Sequence, residues 1–181
     1  MDLRQKKTLR AIAQSFYALR AQKKLESITV TELCKHAEIS KATFYLHYRD
    51  IFDLSEQMQN EVIESIFSQM EDPMGIFTDS GFIRSCVQAV ERESERINVI
   101  FSDTQAGALP VRILQYLKQE IFSRAPQLRD NPRVQVLLTY HVMGSYYACM
   151  EDQNRVGYKQ ILKILEEIPL FLALQGVEIR Q

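Results

Sequence analysis

Apolar side chains recur every three to four residues along most of the chain, the spacing that gives a helix one buried stripe. Leu9, Ile12, Ala13, Phe16 and Leu19 predict a first helix over residues 8–22. Val30, Leu33, Cys34 and Ala37 mark a short second one, and residues 41–48 a third. Leu54, Met58, Val62, Ile66 and Met70 repeat at four-residue steps, broadened by Phe52, Ile63 and Phe67, and predict a long helix over 51–70. Ile83, Val87, Val90, Ile97, Ile100 and Phe101 read as one helix over 82–102, and Ile113, Leu114, Leu117, Ile121 and Phe122 as the next, over 109–124. Val134, Leu137, Leu138, Val142, Met143, Tyr146, Tyr147 and Met150 predict a helix over 132–152. A last helix from Gly157 carries Ile161, Leu162, Ile164, Leu165 and Ile168 to Pro169, and Leu170 to Leu174 continue apolar. The fold class is all-α.

Polar punctuation separates these stripes. Thr29 and Glu32 have capping-box spacing, in which each side chain satisfies a free N–H of the first helical turn. Ser40 and Asp50 stand where N-caps are needed before residues 41 and 51. Asp72-Pro73-Met74-Gly75, Gln105-Ala106-Gly107 and Ala125-Pro126 are breaks, and Asn131-Pro132 is a cap followed by proline at the first helical position. Two short helices joined by Glu38-Ile39-Ser40 make the helix-turn-helix pattern, whose second helix enters the major groove of DNA. In that helix Lys41, Ala42, Thr43 and Leu46 lie on the outer, N-terminal side, within reach of base edges. Phe44 and Tyr48 are assigned to the core.

In these residues the chain resembles the TetR family of bacterial transcriptional regulators. The resemblance rests on Thr29-Val30 opening the second helix, Ala37 near its end and Ile39-Ser40 in the turn. It continues in Thr43-Phe44-Tyr45, His47-Tyr48 and the later Leu54. Residues 8–55 carry it; beyond them it is architectural. Two positions depart from the family pattern: Glu38 stands where glycine is usual, and Ile51 where lysine is frequent. The resemblance implies a three-helix DNA-binding head over 1–50 and a helical effector-binding and dimerisation body over 51–181. It implies Tyr45 and His47 as phosphate contacts, and Thr29 and Ser40 complete the DNA-binding set. It also implies a palindromic double-stranded operator, a homodimer through the last two long helices and a small organic effector. Those two helices are apolar on more than one face, which itself calls for a second packing partner.

Charge sharpens this picture. Residues 1–50 hold ten Lys and Arg against five Asp and Glu, while the remainder holds twelve against eighteen. A basic end on an acidic remainder suits a molecule with one nucleic-acid-facing side. Phe67, Phe101, Tyr140, His141, Met143, Tyr146, Tyr147 and Met150 supply aromatic and sulfur-bearing surface with a few polar handles. They are the candidates for the lining of an effector pocket. No enzyme is predicted: a Gly-rich phosphate loop, a nucleophile elbow and an H-E-x-x-H pair are all missing, and no cofactor or metal is expected. The three widely spaced cysteines make no disulfide framework, no apolar run suits a membrane span, and no secretory leader is read at the N-terminus. The expected compartment is the cytoplasm. The second function class that fits is a cytosolic helical ligand-binding or adaptor protein whose head no longer binds DNA. Glu38, Leu46 and Ile51 are the residues that favour it.

Overall fold

The computed structural model describes residues 3–68, 70, 72–79 and 81–167, and their regular structure is helical throughout. The predicted apolar segment over 168–174 lies outside these residues. The chain forms two compact units. One takes the residues up to Val62 together with Ser94–Gly107; the other takes Ile63–Glu93 and the residues from Ala108 on.

The first unit opens with α1 (Leu3–Arg20), which buries Ile12, Phe16 and Leu19 as its stripe requires. It begins earlier than the apolar pattern does, so Arg4, Lys6 and Lys7 belong to its exposed first turns. Good helix formers in LRQKK extend it without any buried contact. Next come α2 (Val30–His36) and α3 (Lys41–Tyr45), then α4 (Ile51–Ser68), whose residues from Ile63 on belong to the second unit. Packed pairs within the unit are α1 with α2, α2 with α3, and α1 with a later helix, α7 (Ser94–Ile100). Arg20 ties α1 to the residues that follow α7. Its guanidinium is fully buried and donates to the carbonyl of Lys23 at 2.8 Å and to Ser102 Oγ at 2.6 Å, and it lies 3.6 Å from the Asp103 carboxylate. Its Nε finds no partner. Glu26 accepts from Thr104 at 2.6 Å, and Gln59 of α4 donates to Gln105 at 3.1 Å. Residues 94–107 are thus bound to the rest of the first unit by polar side chains from three different elements.

The second unit holds α5 (Gly75–Thr78), α6 (Phe82–Arg92), α8 (Ala108–Arg124), α9 (Pro132–Val156) and α10 (Tyr158–Glu166). α9 packs on both α8 and α10, and α10 also on α6, where Arg84 forks onto Glu166 at 2.7 and 2.6 Å. Asn131 Oδ1 caps α9 by accepting from the N–H groups of Arg133 and Val134.

The single helix expected over 82–102 is two. It breaks at Glu93, whose carboxylate accepts from Ser65 at 2.7 Å. The physical reason is in the sequence: Glu91 to Arg96 is an unbroken polar run, so nothing apolar holds that turn between Val90 and Ile97. No helix among the described residues is long and apolar enough to cross a membrane.

Candidate nucleic-acid interface

The helices from α2 to α4 are started by local capping chemistry. Thr29 Oγ1 accepts from Glu32 N–H at 3.2 Å and starts α2; Ser40 Oγ accepts from Thr43 N–H at 3.0 Å and starts α3. Asp50 Oδ1 accepts from Asp53 N–H at 2.8 Å and starts α4. Between α2 and α3 the backbone closes a Schellman turn: Ile39 N–H donates to Cys34 O at 3.0 Å and Glu38 N–H to Lys35 O at 3.4 Å. That turn needs a left-handed residue, and Glu38 supplies it at φ +53°, where most helices use glycine. The departure at Glu38 therefore keeps the backbone path and accepts the steric strain.

Rotation of α3 is set by two aromatic anchors. Phe44 is fully buried and Tyr48 nearly so, their rings 5.6 Å apart. This fixes what faces outward. Lys41 and Ala42 are exposed, Tyr45 is 55% exposed and Leu46 81%. Thr29 and Ser40 are exposed, and both hydroxyls serve as caps. Thr43 and His47 are half-buried, and the Thr43 hydroxyl lies 2.9 Å from that of Ser40, so it is engaged locally. Seven of the eight predicted DNA-facing residues, Ser40 to Thr43 and Tyr45 to His47, thus fall on α3, its caps and the residue that follows, while Thr29 caps α2. Lys41, Ala42, Tyr45 and Leu46 are the ones free to meet a partner.

Ile51 is corrected. It is 5% exposed and belongs to the core, so a lysine there would not reach a phosphate without displacing core packing. The cation that sequence reading passed over is Arg49, whose side chain is 81% exposed at the edge of the same surface. It is steadied by Asp53, which accepts from Arg49 N–H at 2.8 Å and from its guanidinium at 3.1 Å. These two bonds, the backbone one first, hold the Asp53 carboxyl below its ordinary range. The signal was an exposed i, i+4 Arg–Asp pair across a helix start.

The effector candidates are less unified. Phe101 lies in the first unit and the other seven in the second. Phe67 is buried and stacks on Tyr116 with ring centroids 4.6 Å apart. His141 is buried, which lowers its pKa from the ordinary 6.5. Met143 and Tyr146 are half-buried. Tyr140 and Tyr147 instead stand outside, 68% and 50% exposed, with Val136 and Met150 on the same face of α9. An α9 stripe of seven-residue period thus presents Tyr140 and Tyr147 away from His141. Burial raises all three thiols, Cys86 to about 12, so none offers a thiolate at neutral pH. Among the described residues no group of His, Cys, Asp and Glu is arranged to hold a metal ion.

Compared with known proteins, the chain matches no family model, no curated protein and no solved structure.

Proposed function

We propose that this chain is a DNA-binding transcriptional regulator, a ligand-responsive repressor acting as a homodimer on a palindromic operator. The observation that carries the reading is the rotation of α3. Phe44 and Tyr48 anchor the helix, and a basic, aromatic and apolar edge is left to solvent. A short helix held by caps on a compact head, with cations at both ends of its outer face, is what the major groove admits. Lys41 is assigned to a guanine edge. Tyr45 and His47, with Arg49, are assigned to phosphates, which fix register without reading sequence.

Two-fold operators require two heads, and the exposed face of α9 supplies a reason for pairing. Val136, Tyr140, Tyr147 and Met150 are large, apolar and uncovered in the single chain. Ile164 of α10 is 44% exposed as well. An effector in the second unit would be met by Phe67, His141, Met143 and Tyr146, leaving Tyr140 and Tyr147 to the dimer contact.

The test is selection of duplexes from a random pool by the full chain, followed by variants on the winner. An inverted repeat should emerge with half-sites about one turn apart (~34–36 Å) or a multiple of that. Lys41→Ala should alter base preference, at about 1–3 kcal/mol for a lost base contact. Tyr45→Phe should weaken all duplexes alike. A changed base preference in Tyr45→Phe would overturn these roles. Failure to enrich any duplex would move the reading to a helical adaptor, for which the 81% exposure of Leu46 is the motivating observation.

A further inference from the structure

The exposed edge of α3 has two parallel rows. Residues four apart share a helix face, so Lys41 pairs with Tyr45 and Ala42 with Leu46. The second row is real in the backbone: Leu46 N–H donates to Ala42 O at 3.2 Å, and Leu46 keeps helical angles as the C-cap. Both side chains are exposed and wholly apolar. Leu46, at 81%, is the most exposed of the large apolar side chains described, and nothing in its own unit covers it. It sits between Lys41 and Arg49, both exposed cations.

We infer that Ala42 and Leu46 form a methyl-reading edge, which selects operators by the 5-methyl groups of thymine in the major groove. The inference rests on the DNA-binding reading above and deepens it. Charge complementarity names the occupant: an apolar row flanked by cations suits a surface that is itself apolar in spots and lined by anions. The major groove is such a surface, and thymine is the unmodified base that carries a methyl there. The small Ala42 lets the helix approach closely, while Leu46 extends further. The two positions are about 6 Å apart along a helix rising 1.5 Å per residue, so methyl groups one or two base steps apart fall within reach. The Thr43 hydroxyl adds no competing hydrogen-bond readout, because it is engaged with Ser40.

The experiment uses the full chain and the duplex it selects. Each thymine of a half-site is replaced in turn by uracil, which removes the methyl and keeps the pairing edge. One or two of these replacements should weaken binding about fourfold each, the share of one buried methyl group. Leu46→Ala, which alters only an exposed side chain, should lose sensitivity to at least one of them. That loss separates a direct contact from an effect of uracil on duplex shape. If a duplex is selected but uracil is tolerated at every position, the methyl-reading edge is overturned and DNA binding stands. If uracil weakens binding equally for the wild type and Leu46→Ala, Leu46 is not the reader. If no duplex is selected, both readings fall.

Discussion

Glu38 sits in the turn at φ +53°, a conformation that costs a side-chain-bearing residue roughly 1–2 kcal/mol. Glycine relieves that strain, and its looser unfolded chain offsets about 0.5–1 kcal/mol of the relief. Glu38→Gly should therefore stabilise the protein by about 0.5–1 kcal/mol, read as a raised urea midpoint at unchanged slope. A lowered midpoint would show that the Glu38 carboxylate makes a stabilising interaction of its own. The position was legible in the sequence as a departure, because a turn that closes a helix is a local motif with a known need for a left-handed residue. The caps at Thr29, Ser40 and Asp50 were legible for the same reason: donor and acceptor lie three residues apart. Arg20 was not. Its partners Ser102 and Asp103 lie over eighty residues away, and only its place on the stripe of Ile12 and Phe16 hinted that it points inward.

At the scale of elements, that arginine is one of the ties between residues 94–107 and α1, beside the packing of α7 on α1 and the Arg96–Tyr17 hydrogen bond at 3.1 Å. Arg20→Ala removes a buried cation and its hydrogen bonds to the Lys23 carbonyl and the Ser102 hydroxyl, so it should cost about 3 kcal/mol in urea unfolding. Arg20→Lys should restore little, since an ammonium lacks the fork that spans a carbonyl and a hydroxyl. Arg49→Ala serves as the contrast: its pair with Asp53 is on the surface, and the midpoint should barely move. Equal losses in the two variants would mean that the buried network is unimportant. The break at Glu93 carries a related lesson. Periodicity joined Val90 to Ile97 because both fit one stripe, but six polar residues between them leave that turn without an anchor. In α9, burial of His141 sets a pH response. Its folded-state pKa lies below the ordinary 6.5, so between the two values the unfolded chain binds more protons. The stability that neutral His141 contributes is complete above 6.5 and is lost as pH falls below it toward the folded value. His141→Leu should flatten the change in unfolding midpoint between about pH 7.5 and 5.5. Identical slopes in wild type and variant would place the titration elsewhere.

For the whole molecule, the question is what covers α9. A helix with one buried face is complete in a monomer, and α9 already has α8 and α10 on that face. Its other face carries Val136, Tyr140, Tyr147 and Met150, with Gly144 between them, where an added Cβ would meet nothing within 4 Å. The sequence made the surplus visible, since apolar residues fill more than one face. It could not say which tyrosines were surplus, because Tyr140 and Tyr147 look like Tyr146 until the helix is rotated against its neighbours. Large apolar side chains gathered on one face call for a partner, and under the proposed two-fold operator that partner would be a second copy of the same face. Sedimentation at micromolar concentration should then give twice the chain mass. Tyr140→Glu would place two like charges near the two-fold axis and should return the protein to a monomer. Because association stabilises by mass action, the wild type should melt at a temperature that rises with protein concentration, and the variant should not. A wild-type monomer at micromolar concentration, with a concentration-independent melt, would leave the α9 face for some other partner and remove the two-fold operator from the proposal.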